Sequence, residues 1–310
     1  MAVKLMIEPL FEADFKDCSY GFRPKRSAKM ALEEVRKGCN NKGYYVIDAD
    51  IKSYFDNINH EKLMLLIEQR ISDRRILKLI RNWLKAGVLN EGKHEESTIG
   101  SAQGGVISPL CANIYLNVLD TIWEKQGKQY GKLVRYADDQ VIICKNKKNA
   151  NHAMKILIAV MKKLELELHP EKTKLVSMWD GKEGFDFLGM HHRRMTTETS
   201  KGATFKETYQ YPSKKAMKKM KQSIKEVLGN RAVLPMDMKY LIDTLNPKIR
   251  GWRNYYGVKT AKRWLNSIDW YVIRRYTIWY NKKHQRRNHM SKVVMIRKKA
   301  YENGLLKLTA

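Results

Sequence analysis

The sequence contains no apolar run that approaches the length of about 20 residues that a membrane-spanning helix needs. Residues 1–10 have one lysine and a short apolar mixture, without the layout of a signal peptide. We therefore expect a protein that makes no membrane contact and stays in the cytoplasm.

Cysteine is also scarce, and the sequence shows no internal repeat and no low-complexity linker. The four cysteines are scattered along the chain, at Cys18, Cys39, Cys111 and Cys144, without a Cys-x-x-Cys pair. This spacing argues against a zinc site or a disulfide framework and predicts reduced thiols in a reducing compartment.

Acidic residues are scarce in the last part of the chain. From Met190 to the end there are 29 Lys and Arg against 7 Asp and Glu, so this stretch carries +22 of the total charge of +28. Charge of one sign destabilises a compact state by self-repulsion, and a polyanionic partner removes the conflict. Nucleic acid is the favoured partner, with a membrane surface and a merely basic soluble domain as alternatives.

Hydrophobic periodicity predicts a mixture of strands and helices before residue 190 and mostly helices after residue 212. The interpretation gives a strand over 44–51, a helix over 61–71 behind the N-cap Asn59, a helix opened by Ser108 as N-cap, and a hairpin over 133–144. Such a mixture indicates an α+β fold, an antiparallel sheet with helices on one face. Residues 214–228 and 261–284 predict basic helices with an apolar side. Each could be a plain surface helix, but several together favour a nucleic-acid groove.

Aspartates mark two of the predicted strands. Asp48 and Asp50 lie two apart and share a face, while Asp138 and Asp139 lie at the hairpin tip. Adjacent carboxylates are unfavourable unless a cation neutralises them, and magnesium is the cation that such hard oxygen ligands naturally bind. Two such ions can activate a 3′-hydroxyl and stabilise a leaving pyrophosphate. The alternative is that Asp-Asp pairs are simply common in turns.

Three blocks follow one another at residues 50–55, 103–110 and 136–139, with flanking blocks at residues 19–24, 169–173 and 187–189 and a last block at residues 246–256. The first three resemble, in order, the palm motifs of reverse transcriptases, and the flanking blocks resemble those of the same family. The last block resembles the maturase (thumb, or X) domain of group II intron-encoded proteins. The resemblance implies a reverse-transcriptase palm with partial fingers over residues 1–205, followed by a helical thumb/maturase domain over residues 206–310.

The resemblance also implies the residues that perform the chemistry. Asp50 and Asp138 would hold two Mg²⁺ ions, with Asp139 beside them and the Ile51 carbonyl as a further ligand. Phe55 matches the bulky residue that clashes with a ribose 2′-hydroxyl, although it could also be a plain core phenylalanine.

The remaining nucleotide contacts implied by the resemblance are Gln103, Gly104, Arg23 and Lys172. Gln103 and Gly104 would lie against the incoming nucleotide, and Arg23 would contact its triphosphate. Lys172 matches a proton donor to pyrophosphate, or is a solvated lysine. In the thumb, the RNA-binding candidates either stack on bases or pack as core: Arg250, Trp252, Arg253, Tyr255 and Tyr256.

The function implied is an RNA-directed DNA polymerase of a group II intron, with a role in intron mobility and splicing. Its partners would be the intron RNA, an RNA template with a DNA primer, and deoxynucleotides. Family members carry further residues ahead of the block that starts here near Val3, so we expect a chain truncated in the fingers and without an endonuclease domain. The alternatives are an RNA-binding maturase or inactive fragment without polymerase activity, and a retron-type or diversity-generating reverse transcriptase. The 250–256 block argues against the last.

Overall fold

The computed structural model describes residues 1–85, 100, 105–198 and 202–309, and the backbone alone for residues 88–90 and 93–95. The chain forms two compact units, residues 1–188 and 189–310. The predicted boundary between residues 205 and 206 falls inside a strand of the second unit, Thr204–Pro212, and the domain division remains a prediction.

The first unit alternates helices and strands. Its helices are α1 (Ala2–Glu12), α2 (Ala28–Asn40), α3 (His60–Glu68), α4 (Arg74–Lys85), α5 (Ser108–Ile122) and α6 (Lys147–Lys163). Its strands are β1 (Tyr45–Ala49), β2 (Val88–Asn90), β3 (Lys93–Glu95), β4 (Gly131–Tyr136), β5 (Asp139–Cys144), β6 (Lys174–Ser177) and β7 (Gly184–Phe187). Short 3₁₀ and π turns cover Tyr54–Asn57 and Trp123–Gly127.

Four strands form an antiparallel sheet in the order β4-β5-β1-β6. Its central strands β1 and β5 are rich in buried, β-branched residues, which suit a pleated surface. Side chains from α1, α3, α4, α5 and α6 join this sheet in one hydrophobic core. The predicted α+β class, with an antiparallel sheet backed by helices, is confirmed.

Of the two N-cap residues predicted in the first unit, one is confirmed and one is not. Asn59 is the N-cap of α3, since its Oδ1 accepts a hydrogen bond from the Lys62 N–H at 3.0 Å. The prediction for Ser108 was wrong. Ile107 occupies the N-cap position of α5 without a side-chain hydrogen bond, and Ser108 is already helical and buried.

The second unit contains one antiparallel hairpin, β8 (Met190–Glu198) with β9 (Thr204–Pro212). Its helices are α7 (Lys214–Gly229), α8 (Met238–Tyr256), α9 (Lys262–Lys283) and α10 (Val293–Glu302), and they enclose a separate core. The two predicted basic helices correspond to α7 and α9. Among the described residues, no helix is long and apolar enough to cross a membrane.

Candidate active site

The aspartates of the two predicted strands meet at one edge of the sheet. Strand β1 ends at Ala49, which lies opposite Gln140 of β5. Continuing this register by one residue places Asp50 opposite Asp139, and opposed residues of antiparallel strands have Cα atoms about 4.5–5.5 Å apart. The segment after α6 anchors Asp50 from the other side, because the His169 N–H donates to the Asp50 carbonyl at 2.8 Å.

The β4–β5 hairpin turns through only two residues, Ala137 and Asp138. Ala137 has a φ of 57°, in the left-handed region that residues other than glycine seldom adopt. The segment around Gly21 packs directly under this turn. A Cβ atom on Gly21 would overlap the Ala137 nitrogen and lie 2.9 Å from the Tyr136 carbonyl carbon, so only glycine fits there.

Arg135 holds the turn from inside the protein. Its guanidinium, which is fully buried, donates to the Ala137 carbonyl at 2.9 Å and to the Asn113 Oδ1 at 3.1 Å. Asp120 of α5 balances the charge, accepting from Arg135 Nε at 2.9 Å. Asn113 in turn donates to the Gly21 carbonyl at 2.8 Å. This network ties α5, the Gly21 segment and the hairpin tip into one support for Asp138.

The sequence analysis did not identify Arg135, Asp120 or Asn113. One signal was available, since Arg135 interrupts the otherwise apolar strand Leu133–Tyr136 immediately before the aspartates. A charged residue inside a buried strand needs a partner of opposite charge. Nothing in the sequence says that this partner is Asp120, fifteen residues earlier.

Burial and mutual repulsion shift the carboxylates at this edge toward their protonated forms. Burial, followed by the charges of Asp138 and Asp50, raises the pKa of Asp139 to about 6, against the lowering effect of Lys172. The pKa of Asp138 is raised as well, first by burial and then by Asp50. For Asp48, burial and the neighbouring acidic groups, Asp139 foremost, raise the pKa to about 7. A cation bound here would relieve this repulsion.

Lys172 supplies one positive charge at this edge. Its Nζ lies 3.0 Å from the Asp50 Oδ2, an ion pair formed across a large separation in sequence. The ammonium group stands where a cation would contact this carboxylate. Within the described ranges, no three carboxylate, imidazole or thiol groups form a ready metal-binding cluster. The donor chemistry nevertheless fits Mg²⁺, because hard carboxylate oxygens gather around a turn that also carries excess negative charge.

Ile51 and Phe55 continue from Asp50 along the same edge. Ile51 bridges Leu168 in antiparallel fashion, and the hydrogen bonds of this bridge are made by the flanking residues Lys52 and His169. The Ile51 carbonyl is therefore directed away from that segment. Phe55 is half-buried, packs against the core and meets the Tyr54 ring edge-on at 5.4 Å between centroids. Its position allows both the core interpretation and contact with a ligand.

Gln103 and Gly104 lie outside the described residues, so the structure says nothing about their predicted nucleotide contact. Gly100, three residues before Gln103, is described. Its N–H donates to the Ile58 carbonyl at 2.9 Å, and its carbonyl is hydrogen-bonded to the buried His60 ring. The chain therefore returns at residue 100 to the segment that follows Phe55.

The geometry speaks against the triphosphate contact predicted for Arg23. Its guanidinium is buried and forms an ion pair with Glu12 through Nε and Nη2, at 3.0 and 2.7 Å. The carbonyls of Lys16 and Ser19 accept from Nη1, and that of Phe15 from Nη2. All five N–H donors of an arginine are thereby occupied, so Arg23 fastens α1 to the loop before α2.

The RNA-binding candidates of the second unit lie in the last two turns of α8. Arg250 is exposed, and Arg253 donates to the Lys307 carbonyl at 3.3 Å. Trp252 and Tyr256 pack against the core of this unit, with 4.4 Å between their ring centroids. Tyr255 meets Tyr256 edge-on and is half-buried. Arg250 is the exposed member of the set, Arg253 is half-buried like the aromatic residues, and Trp252 and Tyr256 contribute to packing.

Several curated proteins are similar in sequence. Protein YkfC of Escherichia coli K12 is 33% identical over 69% of this chain and 64% of its own length. The group II intron-encoded protein LtrA of Lactococcus lactis is 27% identical over 86% of this chain and 57% of its own. An uncharacterized 91 kDa protein in the cob intron of Schizosaccharomyces pombe is 26% identical over 88% of this chain and 42% of its own length. The chain thus spans between 42% and 64% of the length of these relatives.

Two solved structures of telomerase from Candida tropicalis share the fold. The apo enzyme truncated from its C-terminal domain gives a TM-score of 0.51 at 17% identity, covering 66% of this chain and 45% of that one. The longer apo telomerase gives a TM-score of 0.50 at 16% identity, and the match covers 97% of this chain and 60% of the telomerase chain. At these identities the likeness concerns the fold alone.

Two family models match successive parts of the chain. Residues 217–297 match the group II intron, maturase-specific domain. Residues 1–192, more than half of the chain, match the reverse transcriptase (RNA-dependent DNA polymerase) model. The chain therefore belongs to the reverse transcriptase family and carries a group II intron maturase-specific domain after its reverse transcriptase region.

Proposed function

We propose that this chain is an RNA-directed DNA polymerase of a group II intron, which extends a DNA primer on an RNA template with deoxynucleotides. The observation that carries the proposal is the meeting of Asp50 with Asp138 and Asp139 at one edge of the sheet. The raised pKa values at this edge support it, because burial and then the repulsion among these carboxylates raise them, and a bound cation would relieve that repulsion.

Asp50, Asp138 and Asp139 would hold two Mg²⁺ ions, with the Ile51 carbonyl as a further ligand. When bound, these ions would lower the pKa of the primer 3′-hydroxyl and stabilise charge on the leaving pyrophosphate. The chain's own contribution is rigid placement. The Arg135 network holds the turn that carries Asp138, and the His169–Thr173 segment holds Asp50. Lys172 lies beside Asp50, where it could meet nucleotide phosphates.

Phe55, together with Gln103 and Gly104, would complete the proposed nucleotide site. Phe55 follows Asp50 by five residues in the turn that packs on the core, so its ring is held in place. A fixed ring beside the sugar would exclude a 2′-hydroxyl and select deoxynucleotides. We do not include Arg23, because its donors are already occupied.

The test is primer extension by the full chain on an RNA template with Mg²⁺ and deoxynucleotides. Asp138→Asn and Asp139→Asn each keep the side-chain shape but remove a charged ligand, so extension should fall at least a hundredfold. RNA affinity should stay within about twofold, since it depends on phosphate contacts elsewhere. Equal loss of extension and RNA affinity would mean that these residues support the fold and not the chemistry.

A second function, as a maturase that binds intron RNA during splicing, is favoured by the second unit. This unit carries +22 of the net charge, and most of it matches the maturase-specific domain. Asp138→Asn should leave RNA-binding and splicing assistance intact, because neither requires carboxylates in the palm. A splicing assay on a group II intron transcript separates the two functions, since loss of splicing in this variant would contradict their independence.

A further inference from the structure

The first unit contains a cavity of about 500 Å³ at the end of the sheet remote from the aspartates. It lies where α2 ends, β4 begins, β5 ends and α6 begins. Gly131 is at the cavity and Tyr136 is at the hairpin turn. With about 3.4 Å of rise per strand residue, the cavity is roughly 17 Å from the turn. It is therefore separate from the proposed nucleotide site.

Lysines dominate the lining of this cavity, and none of its described lining residues is acidic. Glu34, outside the lining, pairs with Lys132 and with Lys37, the latter at 3.2 Å. Lys42, Lys128 and Lys145 make no ion pair with any described residue. These three unpaired ammonium groups repel one another across the concave surface and raise the local concentration of anions.

Glycines let the wall of the cavity pack closely. A Cβ atom on Gly43 would lie 2.5 Å from the Gly38 carbonyl oxygen, and one on Gly131 would lie 2.7 Å from the Cys144 Sγ. The backbone at these positions is therefore packed too closely for any side chain. Tyr130 adds an aromatic group to the lining, and its ring stacks on His152 with 5.1 Å between centroids.

The N-terminus of α6 adds a further positive contribution. Asn146 caps this helix, and Asn149 in its first turn lines the cavity together with Lys145. The first turn of a helix carries partial positive charge and favours phosphate groups. A closely packed concave wall, lysines from three stretches of the chain and one aromatic ring form the combination that binds a nucleic-acid backbone.

We propose that this lysine cavity, lined by Lys37, Lys42, Lys128, Lys132 and Lys145, binds phosphate groups of an RNA strand. It is a second RNA contact, in the polymerase unit and apart from the basic maturase-specific domain. The lysines come from three separate stretches of the chain, so they suit successive phosphates of a strand better than one compact anion. A free oligophosphate has the same chemistry and is the other source to distinguish. The inference does not depend on polymerisation.

The first experiment compares two charge-matched variants of the full chain. Lys42→Gln with Lys145→Gln removes two cavity charges, and Lys155→Gln with Lys162→Gln removes two exposed charges from α6 as a control. Affinity for a fluorescein-labelled single-stranded RNA is measured by anisotropy over a salt series. Each phosphate contact contributes about 0.7 to the slope of log affinity against log salt for a single strand. Loss of two contacts in the cavity variant should therefore reduce the magnitude of this slope by about 1.4. The control should change by less than half as much.

The second experiment locates the contact in the unmodified protein. Lysine acetylation with and without RNA, read by mass spectrometry, should show protection of Lys42, Lys128 and Lys145 and none of Lys155. Equal slopes in the two variants, or no protection at the cavity, would overturn the proposal. Protection by sodium triphosphate but not by RNA would also overturn it, in favour of a free anion. Because no nucleotides are added, failure of polymerase activity would not affect either result.

Discussion

The buried ion pair between Arg135 and Asp120 makes a quantitative prediction about the support of the active site. Both side chains are fully buried, and Asp120 is the carboxylate that balances the Arg135 guanidinium. Asp120→Asn preserves shape and some hydrogen bonding but leaves the guanidinium without a counter-charge. Breaking one partner of a buried pair costs about 3–5 kcal/mol. The first unit should lose this much stability, a large part of the roughly 5–15 kcal/mol typical of a domain.

Hydrogen exchange measured by mass spectrometry suits this prediction, because the two units need not unfold together. Peptides covering residues 131–144 report on the first unit, and their exchange under global-unfolding conditions gives the free energy of unfolding. Glu33→Gln is the matched control, since it removes the negative charge from a half-exposed ion pair with Arg36 in α2. It should cost about 0.5 kcal/mol or less.

A double substitution then separates stability from positioning. Asp120→Leu with Arg135→Met removes both charges, and apolar replacement of a buried pair is often neutral or stabilising. The double variant should recover most of the stability lost by Asp120→Asn. It should still extend primers poorly, because the hydrogen bond to the Ala137 carbonyl that holds the turn is gone. A loss below 1 kcal/mol for Asp120→Asn would refute the reasoning, as would full primer extension by the double variant.

Three further perturbations test other parts of the site. Asp48→Asn should stabilise the protein above pH 7 by at most about 4 kcal/mol and leave it unchanged at pH 4. The pKa of Asp48 is raised to about 7 in the folded state, whereas the unfolded chain loses this proton near pH 4. Wild-type stability therefore falls as the pH rises from about 4 to about 7. Thermal melts of the wild type and the variant over pH 4–8 check this prediction. Gly21→Ala should destabilise the first unit and slow primer extension, because its Cβ overlaps Ala137; extension at the wild-type rate would contradict the close approach. Phe55→Ala should permit ribonucleotide incorporation in a primer-extension assay, whereas a variant that only unfolds would favour the core interpretation.

Local patterns in the sequence were sufficient for the fold class and for the order of the motifs. The strand over 44–51 and the hairpin over 133–144 both appear, as β1 and as β4 with β5. Alternation of buried residues and a tight turn are properties of neighbouring residues, so a single sequence reveals them. The boundaries were less certain, because Asp50 lies one residue beyond the end of β1.

Arginines illustrate what a sequence leaves open. Arg23 was expected to contact a triphosphate, but its guanidinium is buried against Glu12; Arg135 was overlooked, yet it holds the turn beside Asp138. An arginine is equally able to bind a ligand or an internal carboxylate. The choice depends on which acceptors the chain brings within about 3 Å.

The sequence by itself determined the class of the fold, the family motifs and the identity of the three aspartates as the chemical candidates. Only the tertiary structure decided that Asp120 balances Arg135, that Lys172 pairs with Asp50, and that lysines from three distant stretches of the chain line one cavity. These contacts join residues from different elements of the fold. Burial and charge pairing depend on packing in three dimensions, and a linear pattern does not specify them.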